Sequence, residues 1–197
     1  PHPRPDARGT RRVFSIASSP GEPELAIGVR TRTAERLSTF KHALLELEPG
    51  ARLRATGVWG DFTLPRRPDA RIALVAAGIG VTPFIAQLGA LAAAGRAADV
   101  ELLYAVGSAE EIAYREELAA AGCRVSLVCP DDPGELPPGW SWLGPGGLDA
   151  DAVHRAIPDA AERVVHLSGA PADVARLRAA LRRSGVRRIR TDLFLGY

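Results

Sequence analysis

The sequence predicts an α/β protein in which a unit of short strands leads into a parallel sheet covered by helices on both faces. Three observations carry this. From about residue 71 onward, strand-like apolar runs alternate with helix-length runs, the pattern of a parallel sheet with crossover helices. Two strand-to-helix junctions share one grammar, glycine followed by proline: Gly78-Ile79-Gly80-Val81-Thr82-Pro83 and Ser168-Gly169-Ala170-Pro171. Ahead of residue 66 the short strand patterns are bounded by Pro and Gly and do not alternate in this way.

In order along the chain, the first ten residues, PHPRPDARGT, contain three prolines and a glycine and read as loop. VFSIAS and ELAIGVRTR read as strands, STFKHALLEL as a short helix and ARLRATGVW as a further strand. LPRRPDAR, with two prolines and three arginines in eight residues, is the linker, so two domains are expected, 1–66 and 67–197. Beyond it strands are predicted near 71–77, 100–106, 124–129, 163–168 and 188–192. Helices are predicted near 83–94, 109–121, 149–156 and 171–184, with a Pro- and Gly-rich loop after residue 129.

Composition narrows the function classes. The chain has 197 residues, 46% hydrophobic and 24% charged, enough for a real core. Its net charge is +2, and Lys41 is the sole lysine among 25 basic residues, a bias that gives no case for nucleic acid. Cys123 and Cys129 form neither a zinc pattern nor a disulfide framework, so no metal is expected and a reducing, cytoplasmic setting is the default. There is no methionine, even at position 1, so the chain reads as part of a longer protein, one with room for a membrane or redox region ahead of residue 1. Residues 72–95 carry no charge over a length that could span a bilayer. Four glycines, Pro83 and Gln87 interrupt that run, and its period changes from strand to helix, so strand, turn and helix explain it better.

In a sheet of this kind ligands bind at the carboxyl ends of the strands, where strand order switches. The Gly78–Pro83 turn falls there. Proline suits the first helical turn, having no N–H to leave unpaired, while bare glycines and the helix amino terminus favour close approach of an anionic phosphate. Gly169 and Pro171 repeat the arrangement, so two turns are expected to face one crevice.

Taken together, four motifs in order resemble the ferredoxin–NADP reductase superfamily: Arg12-Val13-Phe14-Ser15, the stretch LSTFKHALLELEPGARLRATGVWGDFTLP, VAAGIGVTPF, and HLSGAP with the terminal FLGY. The resemblance runs through nearly the whole chain. It implies a flavin-binding antiparallel β-barrel followed by a Rossmann-like NAD(P)-binding domain, with the barrel incomplete here because only eleven residues precede Arg12. It implies FAD rather than FMN as cofactor. Arg12 would pair with a flavin phosphate, Phe14 would lie against the ring, Ser15 would hydrogen-bond near the flavin atom that receives hydride, and Val13 belongs to the same cofactor-binding motif. Ser38 and Thr39, opening the short helix, would hold the pyrophosphate. Gly78, Gly80, Thr82, Pro83 and Gly169 would hold the nicotinamide nucleotide, Ser168 would stand where many members have Cys, and Phe194 would pack beside the flavin. The implied activity is hydride transfer from NADH or NADPH to FAD, with electrons passed on to an unidentified redox partner. The alternative is a non-catalytic nucleotide sensor or interaction module.

NADH is the expected nucleotide: the resemblance implies that the adenosine end lies beyond the third strand, which Cys129, Pro130, Asp131 and Asp132 follow. Two carboxylates there repel a 2′-phosphate unless Arg115 compensates. The alternative is that Asp131 and Asp132 are exposed turn residues out of reach of the ligand. Tyr104, Tyr114, Asp61, His42, His154 and His166 are read as structural. The arginines from Arg176 to Arg190 are read as a solvated helix face, with docking of an acidic carrier as the competing role.

Overall fold

The computed structural model describes residues 9, 11–31 and 38–194. IALVAA, Ile72–Ala77, forms β1, and every side chain before Ala77 is buried, as befits a central parallel strand with helices on both sides. The remaining strands are β2 (Glu101–Ala105), β3 (Arg124–Val128), β4 (Trp140–Trp142), β5 (Val164–Gly169) and β6 (Ile189–Leu193). They form one six-stranded sheet in the order β4-β3-β2-β1-β5-β6, parallel at every pair. The chain therefore builds outward from β1 through β4, then crosses back to β5, which makes β1/β5 the switch point.

The two-residue period of the strands divides the core. Leu74 and Ala76 of β1 and Leu102 and Tyr104 of β2 pack under Phe84, Leu88 and Leu91 of helix α2 (Thr82–Ala93) and Leu118 of α3 (Arg115–Ala121). Ala73, Val75, Leu103, Val165 and Leu167 pack on the opposite face. Their partners there are Val153 of α4 (Ala150–Ala156) and Val174, Leu177 and Leu181 of α5 (Pro171–Arg183). At the amino ends of the strands the buried Arg163 donates to Asp159 and to the carbonyls of Ile72 and Asp99, so its charge is paired as burial requires.

The charge-free run divides into β1, a 3-10 turn over Gly78–Val81 and α2. Among the described residues no helix is long and apolar enough to cross a membrane.

Four expected elements are corrected. VFSIAS and ELAIGVRTR form no strand among the described residues, only a single antiparallel bridge between Ile16 and Ile27, because no ladder longer than this bridge pairs them. The loop after residue 129 contains a strand, Trp140-Ser141-Trp142, which pairs with β3; its Pro- and Gly-rich flanks hide a three-residue edge strand from pattern reading. The helix expected over 109–121 is broken, because Tyr114 adopts φ 57° and α3 starts only at Arg115. The strand expected over 51–59 is absent: that stretch forms no ladder, and Leu53, Val58 and Trp59 are exposed, since among the described residues no strand is placed to pair with it.

The first unit is thus lightly ordered, with α1 (Thr39–Leu45) and an antiparallel bridge between Ile16 and Ile27. It is nevertheless tied to the parallel sheet. A Cβ on Gly89 of α2 would lie 1.7 Å from Ser19 Oγ, and one on Gly28 would lie 2.8 Å from Thr82 Oγ1, so both contacts need glycine. Arg30 pairs with Glu111 at 3.2 Å. Arg190 donates to the Thr63 carbonyl at 2.6 Å, and Phe62 packs on Phe84 and His166.

Candidate functional site

β1 and β5 lie side by side, with Ala76 opposite Ser168, so the two glycine turns stand together at the switch point. Gly78 is in the left-handed region, φ 53°, with open space where a Cβ would be. Gly80 is glycine for a different reason. A Cβ there would lie 2.5 Å from Ser168 O and 2.9 Å from Gly169 Cα, and one on Gly169 would lie 2.8 Å from Ala77 Cβ. The bare Cα of Gly80 faces the β5 turn, which corrects the expectation that it is bare to admit a ligand. Thr82 donates its hydroxyl to the Ile79 carbonyl at 2.8 Å, shaping the loop, and Pro83 occupies the first turn of α2. The amino end of this 12-residue helix therefore supplies the positive end of its dipole to the crevice.

Ser168 is fully buried, and its Oγ has no hydrogen-bond partner among the described residues. Its register partner on β6 is Asp192, which accepts from Ser15 Oγ at 3.5 Å. Burial raises the Asp192 carboxyl above its ordinary 3.8, against the lowering effect of the Leu193 N–H and Ser15. One residue past β6, Phe194 N donates to the Gly169 carbonyl at 2.8 Å and extends the β5–β6 ladder. The structure thus brings Ser15, Ser168 and Phe194 to the carboxyl ends of β5 and β6. The rest of the terminal motif, 195–197, lies outside the described residues. Asp192 escaped sequence reading, because nothing in TDLF announces that β6 aligns its carboxylate with Ser168.

A second group forms beside the first turn of α1. The rings of Phe14 and Phe40 are 5.9 Å apart, and the Arg12 guanidinium lies 5.3 Å from the Phe40 centroid. Arg12 also donates to the carbonyls of Gly9 and Arg11. Ser38 caps the helix, its Oγ accepting from Lys41 N at 3.3 Å, while Thr39 and Val13 are exposed. Arg12, Phe14, Ser38 and Thr39 therefore share one place, and Ser15 links it to the crevice. An always-charged guanidinium, an aromatic face and helix-start hydroxyls are a donor set that fits a flavin carrying phosphates.

Just past β3, Asp131 and Asp132 are exposed, and Asp132 accepts from Gly134 N. Arg115 donates to the Glu135 carbonyl and lies 5.8 Å from the Trp140 ring. The Cys129 thiol donates to the Asp131 carbonyl at 3.0 Å. Tyr104 is held by Ala113 N–H, and burial pushes its phenol up to about 12, as expected of a packing residue. Among the described residues no cluster of His, Cys, Asp or Glu could hold a metal.

Residues 74–127 match the oxidoreductase NAD-binding domain family. Over 166 residues the chain is 35% identical to ferredoxin–NADP reductase B of Sorangium cellulosum, covering 82% of this chain and 64% of that protein. Over most of its length the chain is thus similar to a ferredoxin–NADP reductase, and it carries a match to the oxidoreductase NAD-binding domain. A second relative is the ferredoxin–NAD(P)(+) reductase component of naphthalene 1,2-dioxygenase/salicylate 5-hydroxylase systems from a Ralstonia species. It is 27% identical over 89% of this chain and 52% of its own length. Among solved structures, the Amycolatopsis cytochrome P450 reductase GcoB superposes with a TM-score of 0.72 at 28% identity, over 95% of this chain and 57% of GcoB. The chain spans roughly half to two thirds of the length of these relatives.

Proposed function

We propose that the protein is a flavin-dependent oxidoreductase that takes hydride from NADH or NADPH onto FAD and passes the electrons to a separate redox partner. The observation that carries this reading is the buried, unpartnered Ser168 hydroxyl beside the Ser15–Asp192 pair, at the point where the two glycine turns interlock. FAD, when bound, supplies the chemistry of accepting two electrons together and releasing them singly.

The chain's own residues bind, orient and handle the proton. The α2 amino terminus holds the nucleotide phosphates. Arg12, Ser38 and Thr39 hold the flavin phosphates, and Phe14 with Val13 flanks the ring. Ser168 positions the nicotinamide end, and Phe194 covers it from the strand end beside Gly169. Ser15 Oγ and Asp192 Oδ2 form a two-member hydrogen-bonded pair at the mouth of the site, and burial holds the Asp192 carboxyl above its ordinary range, which favours its holding a proton more than an exposed carboxyl does. The domain boundary falls between residues 66 and 67, where the arginine-rich linker enters β1. The residues after β3 favour NADH. The partner is of the kind served by the relatives named above, in a cytoplasmic setting.

The test is Ser168→Ala, which should slow flavin reduction by NADH on the order of tenfold while leaving FAD retention unchanged. A rate equal to wild type would remove Ser168 from the site. The exposed 51–59 stretch favours one second reading, a nucleotide sensor without a working flavin site; it predicts nucleotide binding with no flavin binding at all.

A further inference from the structure

His166 stands two residues before Ser168 on β5, so both side chains leave the same face of the strand, toward α2. The imidazole is fully buried. Its Nδ1 meets Gln87 Oε1 at 3.0 Å, and Gln87 Nε2 donates to the Phe62 carbonyl at 2.9 Å. The ring packs on Phe62 with centroids 5.1 Å apart. Among the described residues two buried polar atoms on this face of β5 lack hydrogen-bond partners, His166 Nε2 and Ser168 Oγ.

The polarity of this chain is determined from one end. A backbone carbonyl can only accept, so the Gln87 atom facing Phe62 O is its NH2 group and the atom facing His166 is its oxygen. That oxygen requires a proton on Nδ1. Burial, and then the charge of Arg190 on the neighbouring strand, lower the imidazole to about 4, so at neutral pH the ring holds one proton and Nε2 is an acceptor. Arg190 of β6 is the register partner of His166, Leu74 of β1 is its partner on the other side, and Gln87 and Phe62 cover it from above.

Resting on the reading of the crevice as a nicotinamide site, we propose that His166 is a positioning residue that draws the Ser168 hydroxyl proton toward its Nε2 through one bridging water, leaving the Ser168 lone pairs facing the crevice as acceptors. A site with an acceptor there selects a ligand that offers a donor. The amide N–H2 of a nicotinamide carboxamide is such a group, and the methyl ketone of an acetylpyridine dinucleotide is not. Phe62 lies at the end of the first unit, so the same chain of bonds ties the seating of that unit to the direction of the Ser168 hydroxyl.

The experiment has two arms. In the first, imidazole 15N spectra of the full chain are recorded, with His166 assigned among the four histidines by loss of its signals in His166→Phe. The proposal predicts a protonated Nδ1 and an unprotonated Nε2, and a shift of the Nε2 signal in Ser168→Ala while Nδ1 stays in place. An unmoved Nε2 signal overturns the link. In the second arm, dissociation constants of NADH and its acetylpyridine analogue are compared in wild type, His166→Asn and His166→Phe. Asn places an amide N–H where Nδ1 stands, keeping the Gln87 bond while losing the Nε2 acceptor. Both variants should lose about threefold to tenfold of the preference for the carboxamide. A preference kept in His166→Asn and lost only in His166→Phe would mean that the ring merely supports packing, and would overturn the proposal. If wild type binds neither nucleotide, the nicotinamide reading fails, and the first arm alone decides the His166–Ser168 link.

Discussion

Gly80→Ala is the sharpest perturbation of the crevice. The added Cβ would sit 2.5 Å from Ser168 O, 2.7 Å from Ser168 C and 2.9 Å from Gly169 Cα. All three are backbone atoms, so no side-chain tip can swing aside, and either the Gly78–Val81 turn or the end of β5 must move. Overpacking of this kind costs about 1–3 kcal/mol, which for a chain of this size lowers the melting temperature by about 2–12 °C. The same movement pries apart the two turns and should weaken NADH binding by more than about tenfold, because a shift of an ångström misplaces every group that holds the nucleotide. Gly78→Ala is the control. It meets no atom within 4 Å but must hold φ 53°, so it should cost about 1–2 kcal/mol of backbone strain with a smaller loss of binding. The assays are thermal melting and nucleotide titration on both variants. A Gly80→Ala protein that melts and binds like wild type would refute the interlocked turns.

Four other outcomes follow from the same geometry. Arg12→Ala should weaken FAD binding by about 1.5–3 kcal/mol, the range for a hydrogen bond to a charged group, measured by flavin titration; unchanged affinity would exclude Arg12 from the flavin site. Phe194→Ala should change the NADH dissociation constant or the hydride rate by about twofold to tenfold, whereas a lower melting temperature with unchanged kinetics would leave it a packing residue. The ratio of kcat/KM should favour NADH over NADPH because of Asp131 and Asp132, and a tenfold preference for NADPH would contradict that, since it needs about 1.4 kcal/mol of favourable phosphate contact. His166 titrates at about 4 when folded against an ordinary 6.5. Between these values the unfolded chain binds a proton that the folded one does not. Its contribution to stability is therefore intact above pH 6.5 and lost toward pH 4, at up to about 1.4 kcal/mol per pH unit. Denaturant titrations across that window should show a shallower decline in His166→Phe, and parallel curves would refute the assignment.

The parallel sheet was legible because its central strand is buried on both faces and the helix after it is twelve residues long, so IALVAA and FIAQLGALAA announce themselves by period alone. What escaped reading depended on partners distant in sequence. β4 is three residues long and exists only because β3 offers an edge. Tyr114 breaks its helix by adopting a left-handed conformation, which no local rule assigns to a tyrosine. ARLRATGVW has strand composition and no strand beside it, so composition alone misled. In the site, the two glycine turns were visible as motifs, but the reason for Gly80 lies in Ser168 and Gly169, some ninety residues away. Asp192 and His166 became significant only through register, one opposite Ser168 and the other two residues before it on the same face.

Anaerobic titration of the FAD-loaded protein with NADH tests the central claim most directly. The account predicts that the visible flavin absorbance bleaches with one NADH per flavin, and that the bleaching slows in Ser168→Ala. Saturable NADH binding with the flavin absorbance unchanged, or failure of FAD to bind under conditions where NADH binds, would contradict it.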